Sequence, residues 1–463
     1  MRETNLDDED RSTKEIGRCD KIALASEVDR GLYTRCEVTE STPLLEKSKH
    51  KNDSWCAKDR YYIVFIVCMM QGLGILLPWN LFMTAKEYFI DYKLYPAGDV
   101  DYRRNFLTYA GISSQIPNTC LNIFNLFYQG NGKTKPSIRI VVSMLVLSGL
   151  FVLTIALAVI DTSQAPELFF GVTLLLIVFM NMCTGVWSNC FFGIAAQFPA
   201  IYLNSCITGM NVCGVIVSVL SMTSKTGSDP RSSAIIYFVV ALLILITALD
   251  LFIALPLTRY YRVNYAEDKQ QLAESQLVEG LPYMKTFKQM WLALFDVWFH
   301  RFISMTIYPA ILVDIKRMDP DFFIPDEYFT DVIAYMIPNV LAVTTNMLSY
   351  SRFAQPPPKT IILFQMARFM FIPFYLLCNF RPETRSIPVV LNDYWFLIGA
   401  VVFGLLNGHM SGITFMYAKR AAGSDPRMQK VAGMMTGIAH STGYLTGHPF
   451  TLVVAYLVEN IGR

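Results

Sequence analysis

The sequence predicts an all-α fold, a polytopic membrane protein of eleven transmembrane helices. Three observations lead there. The chain has 463 residues, 53% of them apolar and only 16% charged, where a soluble domain carries about 25% charged residues. The charge is also uneven, because residues 1–60 hold 26 charged side chains. Beyond that tail the chain breaks into successive charge-poor runs, each long enough to cross a hydrocarbon core that needs roughly 20 apolar residues as a helix.

Taken in order, residues 1–60 are a polar tail, too hydrophilic to hold the apolar core of a cleavable signal, so insertion is expected to rely on the first true span. Its composition predicts disorder. The first half, residues 61–258, holds the runs 61–85, 106–132, 140–160, 168–224 and 232–258. The fourth of these is 57 residues long and must contain two spans, with Pro199 as the turn between them. A polar loop at 259–289 separates these six spans from five more: 290–313, 332–351, 360–380, 394–418 and 431–458, all within 290–463. Lys and Arg in alternate loops place the N-terminus in the cytosol. The inside loops then carry 14 basic residues besides the tail's 12, against 11 outside. An odd span count puts the C-terminus outside.

Other classes fall away on inspection. Basic residues are interleaved with carboxylates, so no block points to nucleic acid. The ten cysteines show neither disulfide-framework nor zinc spacing, so neither a metal nor a cofactor is expected. Gly132, Lys133 and Thr134 imitate the end of a phosphate-binding loop, but Phe127 stands where its first glycine belongs. No protease or hydrolase signature is present, and an enzyme is not expected.

Several spans carry polar residues at helical spacing. Gln115, Asn118, Asn122 and Asn125 form one stripe; Asn181, Thr184 and Ser188 form another, with Asn189 adjacent. Asn204, Thr208, Asn211 and Ser218 follow in the fifth span, Asn339 and Asn346 in the eighth, and Thr436, His440 and Tyr444 in the eleventh. Any single one reads as interhelical hydrogen bonding. Five such stripes in one bundle suit a wet conduit for a neutral, many-handed polar solute. Prolines recur inside spans, among them Pro78 beside Trp79 and Asn80, and Pro338 beside Asn339. Each frees a carbonyl four residues back, and such groups persist in membranes where a cavity re-satisfies them. Ionisable residues within spans are functional candidates. Arg368 needs a partner from elsewhere. Asp296 and His300, one turn apart beside Arg301, are placed to share a proton, while His409 and His440 are further proton-linked candidates. Asp250 and Asp296 are the only carboxylates inside the runs.

The segment GLGILLPWNLFMT (72–84) closely resembles the first-span signature of the equilibrative nucleoside transporter family. The likeness continues in FFGIAAQFPAIYLNSCITGMNVCG (191–214), IYPAILVDIK (307–316), ARFMFIPFYLLCN (367–379) and GLLNGHMSG (404–412). The resemblance implies two pseudo-symmetric halves of six and five helices, similar to the major facilitator type, and facilitated passage of nucleosides or nucleobases by alternating access. It implies that Trp79 stacks on the base, that Asn339 is a polar ligand, and that Arg368 matches a ninth-span arginine. Gly209 and Gly214 match glycines that allow close helix approach; Pro78 and Asn80 belong to the same structural and gating set. The family usually has Asp and Arg three and seven residues past Asn339, where this chain has Ala342 and Asn346, and Gln where Ser188 stands. Gln115 and Asn118 stand where the family is usually apolar. The expected ligands of the nucleoside are therefore Trp79, Gln115, Asn118, Ser188 and Asn339. Two alternatives stay open: an organic cation or monoamine transporter of the same family, and a non-transporting, receptor-like relative.

The tail contains Glu40, Leu44 and Leu45 in an acidic dileucine pattern. Such a pattern predicts an adaptor protein as partner besides the nucleoside and the lipid bilayer. The plasma membrane is the expected address, with endosomal or lysosomal membrane as the alternative.

Overall fold

A computed structural model describes residues 59–85, 88–97, 100–104, 106–130, 135–224, 229–263, 281–351 and 355–460. The dileucine residues Glu40, Leu44 and Leu45, and most of the 259–289 loop, lie outside the described residues. Within them the chain is helical; the extended pairing recorded is one isolated bridge between Ile315 and Phe380.

The first half comprises α1 (Ile63–Thr84), α2 (Phe106–Gly130), α3 (Pro136–Val159), α4 (Pro166–Ala195), α5 (Ala200–Ser224) and α6 (Pro230–Ala254). The second comprises α7 (Tyr283–Thr306), α8 (Asp326–Leu348), α9 (Ile361–Leu376), α10 (Asp393–Ala421) and α11 (Pro426–Asn460). Seven of these, α1, α3, α4, α5, α6, α8 and α10, are long and apolar enough to cross a membrane by length and composition. Of the others, α9 is short, and α2, α7 and α11 carry the denser polar stripes.

A proline at the first turn starts α3, α4 and α6, where its missing N–H is not needed and its fixed φ suits the helix. Internal prolines have unequal effects. Pro78, Pro117 and Pro449 lie within unbroken helices. At Pro309 the preceding Tyr308 turns to an extended conformation (φ −112°, ψ 129°) inside the π-helical stretch Ile307–Ile311, as the residue before a proline favours. In α8 a π-helical stretch, Thr330–Met336, precedes the α-helical segment in which Pro338 occupies the first turn. This rod starts at Asp326, several residues before the run predicted from Val332, so Asp331 lies inside it.

The packing scheme repeats with an offset of six helices. In the first half α1 packs on α5 and α2 on α4; in the second α7 packs on α11 and α8 on α10. Across the halves α11 lies against α2 and α4, and α5 against α8 and α10. Two main cores result: one joins the first half with Met290, Leu294 and Val297 of α7 and a few residues from α10 onward, and the other runs from Phe299 to Val458 within the second half. The outer faces are apolar and exposed, as with Leu145, Val152 and Leu153 on α3 and Ile236, Leu243 and Ile253 on α6. Broad apolar surface of this kind requires lipid around it.

Candidate functional site

The site is built on a close crossing of α1 and α5. A Cβ added at Gly72 would sit 1.8 Å from the Cys206 carbonyl oxygen, and one at Gly209 would sit 1.8 Å from that of Met69. Two hydrogens in place of side chains let the α1 and α5 backbones touch, the close approach that only glycine permits. One turn further along α5, a Cβ at Gly214 would be 2.4 Å from Asn339 Oδ1. The gap left by Gly214 is where α8 inserts the Asn339 amide. That amide donates through Nδ2 to the Tyr308 hydroxyl and the Tyr335 carbonyl, both at 2.9 Å. The extended Tyr308 of the α7 break is thus tied to the proline-led start of the α-helical part of α8.

Between the halves lies a chamber of about 270 Å³. Its polar lining includes Asn80, Asn211, Ser218, Arg301, Asp331 and Asn339. Met83, Ser221, Thr330 and Lys316, also in its wall, stand at or beyond the ends of their helices that share one face of the bundle, so the chamber reaches that face. A smaller chamber of about 40 Å³ continues inward, lined by Gln115, Asn118, Asn181, Thr184, Ser188, His440 and others. The two share Leu76, Trp79, Met210 and Tyr444. Trp79 is the partition, its ring edge-on to His448 at 5.2 Å.

Beyond the chambers the bundle is closed by hydrogen bonds between halves. Asn204 Nδ2 donates to Ser349 Oγ at 2.9 Å. Thr208 Oγ1 donates to Asn346 Oδ1 at 3.0 Å and meets the Tyr350 hydroxyl at 2.7 Å. Asn346 Nδ2 continues to Ser411 Oγ at 3.1 Å. On the other flank Asn122 Nδ2 reaches Ser441 Oγ at 3.1 Å, and Asn189 Nδ2 reaches the Met434 carbonyl at 3.3 Å.

A cationic cluster backs the larger chamber. Arg368, fully buried, places Nη1 2.6 Å from His300 Nδ1 and 2.6 Å from Gln365 Oε1. Its Nη2 donates to Ser304 Oγ (2.7 Å) and Asn407 Oδ1 (2.6 Å), two residues that line the chamber. Arg301 donates through Nε to His440 Nδ1 at 3.0 Å, with its Cζ 5.8 Å from the centre of the Tyr444 ring. Among the described residues the hydrogen-bond partners of Arg368 are thus a histidine, a hydroxyl and two amides, with no carboxylate among them.

The residues singled out from sequence are divided by this geometry. Trp79, Asn80, Gly214 and Asn339 line the larger chamber; Trp79, Gln115, Asn118 and Ser188 line the smaller. The five expected ligands therefore do not share one chamber, and Trp79 alone belongs to both. Asn122 and Asn125 leave the conduit: Asn125 Nδ2 bonds Asn189 Oδ1 at 2.8 Å, because the stripe winds out from the conduit toward the helix neighbours on either side. His300 points its Nδ1 at Arg368 and not at Asp296, which corrects the expectation of a shared proton. His440 joins the Arg301 pair, and His409 lines neither chamber. Pro78 continues α1 without a break. Sequence reasoning missed Asp331, 3% exposed, whose Oδ1 accepts from Ser221 Oγ at 3.0 Å. Taking a charge-free run as the span's limit excluded it. Asp250 and Asp296 are therefore not the only carboxylates inside the helices, as that limit had implied. Asn407 lay unread within the GLLNGHMSG motif.

Comparison with known proteins fits this arrangement. The model of the family described as "Nucleoside transporter" matches residues 174–281 and 265–458. The chain belongs to this family. Similar relatives include equilibrative nucleoside transporter 2 of Rattus norvegicus, 24% identical over 436 residues, covering 82% of this chain and 93% of that protein. Equilibrative nucleoside transporter 1 of Homo sapiens is 24% identical over 458 residues, covering 87% and 98%. Equilibrative nucleotide transporter 1 of Arabidopsis thaliana is 23% identical over 455 residues, covering 94% and 95%. Among solved structures, a double-tryptophan mutant of XylE shares the fold at a TM-score of 0.59 and 11% identity, covering 87% of this chain and 96% of that one. A D-xylose–proton symporter does so at 0.52 and 11%, covering 87% and 99%. Family membership and these apolar helices make the chain an integral, multi-pass membrane protein of a transporter family, not an enzyme family.

Proposed function

We propose that this chain carries nucleosides down their gradient by alternating access. The observation that carries the reading is the chamber between two halves, polar-lined, open toward one face and closed toward the other by side-chain hydrogen bonds across the halves. Burying a polar group in hydrocarbon costs several kcal/mol, so a nucleoside crosses only where amides and hydroxyls replace its water. In this reading all eleven rods span the bilayer, with the N-terminus in the cytosol and the C-terminus outside, so the chamber opens outward. Trp79 offers its ring to the base, and Asn339 and Asn80 act in the larger chamber. Gln115, Asn118 and Ser188 receive the solute after it passes Trp79. Gly209 and Gly214 keep α1, α5 and α8 close, and Arg368 holds Ser304 and Asn407 in place. Proton coupling through His300, His409 or His440 is no part of this reading. The plasma membrane is the main address, with an adaptor at the tail's Leu44 and Leu45 holding a share of the protein on an internal membrane. Substituting both leucines by alanine is expected to move that share to the cell surface.

Uptake of labelled uridine and adenosine by the full chain in liposomes tests the proposal; saturable flux without an energy source is expected, and none for any nucleoside would refute it. Asp331 in the chamber supports a second reading, carriage of an organic monocation. Competition by such a cation, with none by any nucleoside, would establish that reading instead.

A further inference from the structure

We infer that Arg301 reads the base of the transported solute and selects 6-oxopurine nucleosides, such as inosine and guanosine, over adenosine. The inference rests on the nucleoside reading above and goes further, to a recognition residue and a substrate class. Arg301 lines the larger chamber although the residue is only 5% exposed. A guanidinium offers five donors and no acceptor. Here Nε is committed to His440 Nδ1 at 3.0 Å, which fixes the plane of the group, and Nη2 is buried with no partner among the described residues. A buried donor left unbonded is costly, more so on a charged group, so an acceptor brought by a solute is worth most at this point of the wall.

The surroundings specify what kind of acceptor. Asn211 Nδ2, also in the chamber wall, is a second buried donor without a partner among the described residues. Arg368 stands behind Ser304 and Asn407, and its own bonds go to neutral groups. This side of the chamber is thus built of donor-bearing side chains, two of them with a buried donor unbonded among the described residues. The same chamber contains the buried carboxylate of Asp331 and the ammonium of Lys316, charges that offset each other. A neutral cargo is part of the inference, and competition by a nucleoside monophosphate tests it against a full anion. A neutral ring with two adjacent in-plane acceptors satisfies both conditions. O6 and N7 of a 6-oxopurine are such a pair, and they are the pair a guanidinium grips with two parallel bonds. Adenine replaces O6 with an amino donor beside N7, which would face the guanidinium donor to donor. A pyrimidine brings a single carbonyl to the same place.

The test uses the full chain in liposomes and competition against labelled uridine uptake. Inosine and guanosine are expected to compete about tenfold better than adenosine, the discrimination one two-bond contact of this type provides. With 7-deazaguanosine, which lacks the N7 acceptor, the advantage is expected to fall to the adenosine level. In Arg301→Gln the ratio between inosine and adenosine is expected to contract to about twofold or less, a change that a general loss of folded protein would not produce. The 7-deaza comparison needs no variant and decides the matter if Arg301→Gln does not fold. Adenosine competing as well as inosine, or an undiminished 7-deazaguanosine, overturns the assignment while leaving nucleoside transport intact. A nucleoside monophosphate that outcompetes every neutral nucleoside also overturns it. Absence of uptake for all nucleosides removes the assignment and the transport reading together.

Discussion

At the scale of single residues, the side chains that matter are those whose hydrogen bonds are incomplete or shared between chambers. Trp79 is the clearest. Replacing it with alanine opens the two chambers into one and removes the aromatic face, so uridine uptake is expected to fall by more than about tenfold, the range expected when an aromatic anchor of about 1–3 kcal/mol is lost. Trp79→Phe keeps a ring and should retain most of the flux; equal flux in Trp79→Ala and the parent would exclude this residue from the route. Arg368 is a different case, since its role is to hold its neighbours. Arg368→Leu leaves His300, Gln365 and Ser304 short of a donor, while Asn407 keeps its bond from Ser304 Oγ, at about 1–3 kcal/mol per stranded group. A marked drop in melting temperature in detergent is expected, with Arg368→Lys intermediate. Much of this was legible beforehand: Trp79, Asn339 and Arg368 stand out in the sequence as a polar or aromatic group beside a helix breaker, or as a charge inside a span. The orientation of a polar stripe was not. Gln115 and Asn125 are ten residues apart on one helix, yet one faces the conduit and the other faces α4, a difference set by neighbours that local spacing does not encode.

At the scale of helices, the α1–α5 crossing sets the tolerance of the bundle. Gly209→Ala places a methyl group 1.8 Å from a backbone oxygen, and no rotamer change can relieve a backbone clash. Severe loss of folded protein is expected, measured as the monodisperse fraction on size-exclusion chromatography. Gly149 on α3 is the control, because nothing lies within 4 Å of an added Cβ. Gly149→Ala should stabilise slightly, by about 0.5–1 kcal/mol, as alanine does in a helix interior. Equal behaviour of the two variants would mean the crossing is not tight. The positions of the seven rods long and apolar enough to cross a membrane followed from charge-poor runs, since a hydrocarbon slab imposes length directly. The π-helical stretch of α8 did not, and with it Asp331 was lost: a charge at the edge of an apolar run looks like a loop until packing turns it inward.

At the scale of the whole molecule, the proposed cycle needs a second arrangement of the halves, and the bonds through Asn204, Thr208 and Asn346 join the halves in the one seen. Thr208→Val removes the bonds to Asn346 and Tyr350 without changing volume much. A shift toward the oppositely opened state is expected, read as slower labelling by a membrane-impermeant thiol reagent of Ser218→Cys in the chamber wall. Unchanged labelling would show that these bonds do not hold the closed end. A proton gradient is expected to leave flux unchanged. His440 accepts on Nδ1 from Arg301, and His300 Nδ1 faces Arg368, so a proton added there would exchange a hydrogen bond for a contact between two cations. Flux that follows the pH gradient would reassign that role to these histidines.

The shared wall at Leu76, Trp79, Met210 and Tyr444 has a consequence for traffic. In the proposed cycle this partition serves as an airlock: cargo in the outer room leans on the same door that admits it to the inner one. An occupied protein is therefore expected to cycle through its doorway more readily than an empty one, and cargo waiting on the far side should hasten the journey of what leaves the near side.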